Sequence, residues 1–305
     1  MVNFDMKSKP KIQDLGWGTK PKKGLVLRGD LNFGNGAKYS GALKSYSKQI
    51  PHGYGIYFFP EHGQMKKIDG IDLAIIKYYS GNFKNGKFHG KGTFRGTGEY
   101  EYKGEFKNRK LDGKGKIKYF NSKETFEGIF KNDRKVKGKW IFSSGDQYEG
   151  EIKNDSANGK GMSVYKKSGQ IYVGQFKDGA FHGRGTQKSK DGQVYVGGFK
   201  DGRRHGYGES VNKKSKVSYK GKWVNGIRSG YGEFDYGDGG IYKGNWKNDV
   251  PHGKGVLIES KGKKSGTSYS GKWKNNMMDG IFIFKDKKGK KRKELWKDDN
   301  FIKFI

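Results

Sequence analysis

One five-residue pattern, Tyr-x-Gly-x-(Trp/Phe), returns along the chain at a nearly fixed interval and narrows the possible folds more than any other feature. It starts at Tyr79, Tyr102, Phe126, Tyr148, Tyr172, Tyr195, Tyr219, Tyr242 and Tyr269, a nearly even series that stretches only before its last member. A period of about 23 residues marks a repeat architecture, in which each unit buries its apolar face only against its neighbours. The clearest unit reads Tyr172-Val173-Gly174-Gln175-Phe176-Lys177-Asp178-Gly179-Ala180-Phe181-His182-Gly183-Arg184-Gly185, and the segment from Tyr195 to Gly208 repeats the plan. An earlier unit starts at Tyr39 and Gly41 and reaches His52-Gly53-Tyr54-Gly55 with three extra residues, so ten units are visible.

Each unit reads as a β-hairpin. Alternation in Tyr-x-Gly-x-Trp has period two, which puts both rings and the glycine on one face and polar residues such as Lys103 and Glu105 on the other. The Lys-(Asn/Asp)-Gly that follows is tight-turn chemistry requiring positive φ, and His-Gly-x-Gly then opens the return strand. A glycine between two rings leaves a slot, expected to take a ring from a neighbouring strand. A lone hairpin is marginal in water, so each unit must lean on the next. Leu27-Arg28-Gly29-Asp30-Leu31 keeps the spacing with leucines in the ring positions, and Trp296 follows Trp273 by one full period. Both ends therefore read as worn, capping units.

Tyr-x-Gly-x-(Trp/Phe) followed by His-Gly-x-Gly, repeated at this interval, resembles the MORN repeat family across residues 27–300. That resemblance implies an all-β protein, an elongated single-layer antiparallel β-ribbon of tandem hairpins. At ~4.8 Å per strand, ten units make a ribbon about 100 Å long. The expected organisation is a basic N-terminal tail over 1–24, the repeat array over 25–284 with an insertion near 60–78, and a basic loop with a C-terminal half-repeat cap over 285–305. Lys137-Gly138-Lys139 replaces His-Gly-x-Gly in the fourth unit, and this site and the insertion are where bulging is expected. Proteins of this kind act as scaffolds and tethers, or as modules beside a catalytic domain for which this sequence has no room.

Composition supports the reading. Apolar residues make up 31 %, about half of them aromatic, with 52 glycines and 5 prolines, whereas an ordinary globular domain is ~45–50 % apolar. The chain has no cysteine, hence no disulfide framework and no thiolate chemistry. No run approaches the ~18 apolar residues of a membrane span. The first residues, which include Asp5, lack the apolar stretch of a secretory signal, so a cytoplasmic location is expected.

No catalytic or cofactor constellation stands out. His52, His89, His182, His205 and His252 share one repeat position, which Asp112, Asp279 and Ser229 occupy elsewhere. That is a structural position beside the turn, not a metal row. His62 lies alone in the insertion. The many Gly-x-Gly segments lack the strand-to-helix context of a dinucleotide site, and Arg28-Gly29-Asp30 sits inside a worn repeat strand. The expectation is a protein that is not an enzyme and carries no cofactor or metal.

Charge is the remaining signal. Net charge is +33, and 64 basic residues less nine arginines leaves 55 lysines. Base composition of the genome can produce such an excess, but it does not account for position. Lys84, Lys107, Lys131, Lys153, Lys177, Lys200, Lys247 and Lys274 all directly follow the second ring position, with Val224 the one exception. They form a ladder with ~10 Å steps. Twist of ~20–25° per strand winds such a ladder around the ribbon, so a flat membrane meets few of its lysines and a filament more. A denser run, Lys285 to Lys293, holds Lys287, Lys288, Lys290, Lys291, Arg292 and Lys293.

The expected partners are proteins of a cytoskeletal or ciliary (axonemal, radial-spoke-like) assembly. The competing expectation is a membrane–cytoskeleton tether binding acidic phospholipid through lysines. Specific nucleic-acid reading is not expected, because the rings are committed to the fold and guanidinium readers are few. Unpaired ribbon ends invite a homodimer.

Overall fold

The computed structural model describes residues 27–33, 36–44, 49–59, 76–96, 100–262 and 265–305. The tail over 1–24, most of the insertion and His62 lie outside these residues. The chain divides into two compact units, residues 1–155 and 156–305, and each is described by itself.

The first unit is an antiparallel meander of ten strands, from Leu27–Asn32 to Gln147–Lys153, each paired with the next. The second unit is a meander of thirteen, from Ser156–Val164 to Asn300–Phe304. Helix is absent among the described residues.

Cross-strand register lines up the repeat glycines. In the first unit Gly29, Gly41, Gly55, Gly81, Gly92, Gly104, Gly115, Gly128, Gly138 and Gly150 pair in unbroken succession, one per strand. In the second unit the line runs from Gly161 through Gly174 and Gly185 to Gly271, then passes to Phe282 and Glu294.

This glycine spine is where the rings lie, and it corrects the slot expectation. The occupant is the tyrosine of the same strand: a Cβ on Gly174 would stand 2.6 Å from the Tyr172 hydroxyl oxygen, and one on Gly185 2.5 Å from it. Tyr39, Tyr79, Tyr102, Tyr172, Tyr195, Tyr219 and Tyr242 each lie over their own glycine and that glycine's cross-strand partner, whereas Gly271 is covered by Phe282 of the next strand. Neighbouring units meet through the second ring. Phe176, Tyr172, Phe199, Tyr195, Trp223, Tyr219 and Trp246 form a continuous edge-to-face zipper with centroids 5.0–5.4 Å apart. Tyr39, Phe83, Tyr79, Phe106, Tyr102, Phe130 and Phe126 do the same in the first unit. Such contacts contribute about 0.5–1.5 kcal/mol each beyond area burial.

At the insertion's edge Lys77 is left unopposed between Ile76 and Tyr78, as expected, but in the fourth unit bulging is the reverse of the sequence expectation. Regular units carry the large bulge: Gly174 pairs Gly185 but Gln175 pairs His182, leaving Gly183 and Arg184 unopposed. Gly183 sits there at φ 59°, a conformation glycine adopts without strain. In the fourth unit Ile129 pairs Lys137 and Phe130 pairs Lys135, so only Val136 is unopposed. The departure from His-Gly-x-Gly shrinks the bulge instead of creating one.

The turns are of the type the sequence predicts, with positive φ at both central residues, as at Asp178 (49°) and Gly179 (83°). They also stack. In the second unit the amides of Gly179, Gly202, Gly226, Asp249 and Asp299 donate to the carbonyls of Ala157, Phe181, Arg204, Arg228 and Met278 in the preceding hairpins. With Asn276 donating to Pro251, this inter-repeat ladder ties each hairpin tip from Gly179 onward to the hairpin before it.

Candidate binding surface at the hairpin tips

Each ladder lysine is the last residue of its strand before the turn, exposed, while the residue before it, a ring in every case but Ile152, is buried. Lys84, Lys107, Lys131 and Lys153 belong to the first unit, and Lys177, Lys200, Lys247 and Lys274 to the second. The sequence pattern understates the charge at the first unit's tips. Lys84 faces Lys87 across its turn, Lys107 faces Lys110, and Lys131 faces Arg134. Three successive hairpins thus end in a pair of cations. In the second unit only Lys200, opposite Arg203, is doubled in this way. Lys177, Lys247 and Lys274 face Ala180, Val250 and Met277.

The repeat histidine belongs to the stacked turns. Amides of Asn85, Asn225 and Asn275, each the first turn residue of the next hairpin, donate to Nδ1 of His52, His205 and His252 at 3.4–3.5 Å. Asp112 takes the same bond from Asn132. In these units the position supplies one acceptor beside the turn, which is why aspartate can replace histidine there; Nδ1 of His89 and of His182 is buried without a hydrogen-bond partner among the described residues. Among the described residues no three His, Asp or Glu side chains gather as metal ligands.

The basic run over 285–293 is only partly a loop. Lys285 ends the strand Met277–Lys285, and Lys291, Arg292 and Lys293 open the strand Lys291–Lys297. Lys287, Lys288, Lys290, Lys291 and Lys293 are exposed. Arg292 stands where a repeat tyrosine would, its guanidinium 4.0 Å from the Phe284 ring centre and its Nε 2.6 Å from Glu294. It is therefore engaged within the fold. Arg28-Gly29-Asp30 lies inside the strand Leu27–Asn32.

Three further cations escaped the sequence reading because they occupy a ring position. Lys135, Arg204 and Arg228 stand where Phe88, Leu111 and Phe181 stand in other units. Lys135 Nζ lies 3.9 Å from the Trp140 ring centre. The Arg204 guanidinium covers Tyr195 and Trp223, and that of Arg228 covers Trp246 and reaches Asp249. Burial in this setting lowers the pKa of Arg204, a desolvation that the Tyr195 ring partly offsets. A planar cation replaces a ring because it can lie on an aromatic face much as a ring does.

The MORN repeat family pattern matches residues 50–64, 79–98, 102–123, 126–147, 148–170, 172–194, 195–211, 219–241, 242–264 and 269–281. The chain belongs to the MORN repeat family. No curated protein matches it. Nine matched segments begin on the tyrosine or phenylalanine that opens the repeat, and at 79, 102, 126, 172, 195, 219 and 242 that ring lies over the glycine spine. MORN repeats are interaction modules for proteins and membranes, and proteins built of them are generally non-enzymatic scaffolds. In this MORN protein the spine glycines and the rings that cover them are consumed in holding the sheet, whereas Tyr54, Tyr207 and Tyr231 on the return strands stay exposed.

Proposed function

We propose that this MORN array is a docking scaffold of a cytoskeletal or ciliary assembly, engaging an acidic protein surface through its hairpin tips. The observation carrying this reading is the placement of the ladder lysines: exposed, in one repeat position, on turns held in register by backbone hydrogen bonds. Within each unit, charges presented at a regular interval suit a partner that is itself periodic. Its energy comes from many weak, salt-sensitive contacts.

A second reading rests on the C-terminal run, where Lys287, Lys288, Lys290, Lys291 and Lys293 cluster in one short stretch. Such a cluster can lie on an anionic leaflet, at about 1 kcal/mol per basic residue near the surface.

Two five-charge variants separate them. Neutralising Lys107, Lys153, Lys177, Lys200 and Lys247 removes co-sedimentation with microtubules or axonemes if the ladder docks a filament. Neutralising Lys287, Lys288, Lys290, Lys291 and Lys293 removes binding to anionic vesicles if the tether reading holds. Equal weakening by both variants, or no binding by the parent at physiological salt, overturns a role for these lysines.

A further inference from the structure

Between the third, fourth and fifth visible hairpins, at their turn end, the first unit carries a groove of about 590 Å³. Five cations line it: Lys110, Lys131, Arg134, Lys135 and Lys153. Val136 and Ile152 supply apolar wall, and no carboxylate belongs to the lining. A second groove of about 370 Å³ in the same unit is different, because Glu127 and Glu149 answer Lys116, Lys137 and Lys139 there.

The repeat pattern accounts for the groove. It forms where the array departs from its regular plan. The unit from Phe126 to Tyr148 has the shortest period of the series, and its bulge is reduced to Val136. In the next strand, Gln147–Lys153, the second ring position holds Ile152 where the units on either side hold Phe130 and Phe176. Lys135 replaces the facing ring and is itself only 9 % exposed, anchored on Trp140 and 3.1 Å from Asp155. Loss of two rings and of one backbone residue leaves space, and cations surround it.

Pairing is incomplete. Lys131 contacts Asp112 at 3.5 Å and Lys135 contacts Asp155, while Asp133 accepts the Leu111 amide. Lys110, Arg134 and Lys153 have no acidic partner among the described residues. Three unanswered cations around one concavity repel each other and focus a positive potential into it, which a multivalent anion would relieve. Guanidinium geometry at Arg134 suits bidentate phosphate recognition, and the lysines act as point charges around it. A volume of this size lies within the range of small-molecule sites.

We infer that this groove binds a small, multiply phosphorylated anion, either free or as the headgroup of a phosphorylated lipid, with Arg134, Lys110 and Lys153 as its direct contacts and Lys131 recruited from Asp112. Lys135 is a positioning residue, held by Trp140 and Asp155. The site shares Lys131 and Lys153 with the ladder but concerns one locus in one unit, centred on Arg134 and Lys110, which are not ladder residues.

Calorimetric titration of the full chain with inositol 1,4,5-trisphosphate at physiological salt should show one saturable site. Arg134→Gln should weaken it about tenfold or more, the loss of one charge-assisted contact, and Arg134→Lys should restore part of it. Lys177→Gln/Lys200→Gln, which removes charge elsewhere, should leave it unchanged. Ile152→Trp returns the family ring to its position, keeps every charge and should abolish binding by filling the groove. Circular dichroism checks that each variant is folded; the exposure of Arg134 makes Arg134→Gln the variant safest in this respect. Phosphatidylcholine vesicles with and without the matching phosphoinositide distinguish the sources. Capture by the doped vesicles, competed by the free headgroup, assigns a lipid. Binding of the free compound without capture assigns a soluble anion. No saturable site in the parent, or equal weakening by Arg134→Gln and by Lys177→Gln/Lys200→Gln, overturns the inference.

Discussion

The hydroxyl of Tyr172 donates to the main-chain carbonyl of Gln175, 2.8 Å away, across the spine glycine that separates them. Gln175 is where the bulge begins, so its carbonyl falls outside the regular ladder and needs another donor. Tyr39, Tyr79, Tyr102, Tyr148, Tyr195, Tyr219 and Tyr242 each make the same bond three residues on, at 2.6–3.0 Å. Where the bulge shrinks, in the fourth unit, the position is Phe126 and the hydroxyl is gone. One residue thus covers the glycine pair with its ring and completes the bulge with its tip.

Removing only the hydroxyl isolates the second role. Tyr172→Phe should cost about 1 kcal/mol, the usual net value of one hydrogen bond, read from a denaturant titration. Phe126→Tyr, at the reduced bulge, should bring no matching gain. A Tyr172→Phe variant as stable as the parent would show that the bulge carbonyl needs no donor.

Adding one methyl group to the spine tests the first role. Gly185→Ala places a carbon against the Tyr172 ring, in a contact with no flexible end to give way. A loss of about 3 kcal/mol is expected, the upper range for overpacking. Combined with Tyr172→Ala, which removes the obstructing ring, the two losses should fall short of their sum by about 1 kcal/mol. Full additivity would separate the glycine from the ring.

Buried tyrosines also set the alkaline limit. Burial pushes the pKa of Tyr172, Tyr195 and Tyr219 up to about 12 and raises those of Tyr39, Tyr79, Tyr102 and Tyr242 further. Unfolded tyrosine titrates at about 10. A folded pKa above the unfolded one gives stability that is complete below about pH 10 and lost as pH rises towards about 12. Tyrosinate absorbance from these residues should therefore appear together with loss of the β-sheet circular dichroism signal. Their ionisation in an intact sheet would contradict the burial.

Period and alternation made the hairpins, the turns and the shared face of ring and glycine legible, because each depends on local spacing. The glycine spine follows from register, a pairing between strands that no single unit encodes. Bulge size was misjudged for a related reason: Gly183 reads as one more repeat glycine until its lack of a partner across its own hairpin is seen. At the tips, the ladder lysines were legible from their constant position. Lys110, Arg134 and Lys135 were not, since their importance lies in which hairpins become neighbours and in the ring missing at Ile152.

The last hairpin carries a substitution of the spine that can be tested alone. Glu294 occupies a glycine position opposite Phe282, is 2 % exposed, and accepts from Arg292 Nε at 2.6 Å and from Trp296 Nε1 at 3.0 Å. No tyrosine ring covers this strand's glycine position, because Arg292 stands in the tyrosine place and reaches the carboxylate instead. Glu294→Ala leaves both donors without their acceptor; with Arg292 half exposed to water, a loss of about 2 kcal/mol is expected. Glu294→Gln keeps the shape and one carbonyl acceptor and should lose less. Glu294→Gly, which restores the family residue without its covering ring, should be no better than alanine. Damage should remain close to the site, since each unit rests on its neighbours. Amide exchange should rise in Lys291–Lys297 and Asn300–Phe304 while Tyr195–Gly208 keeps its protection. Glycine rescuing stability where alanine does not would mean that Glu294 is tolerated at the end of the spine without supporting it.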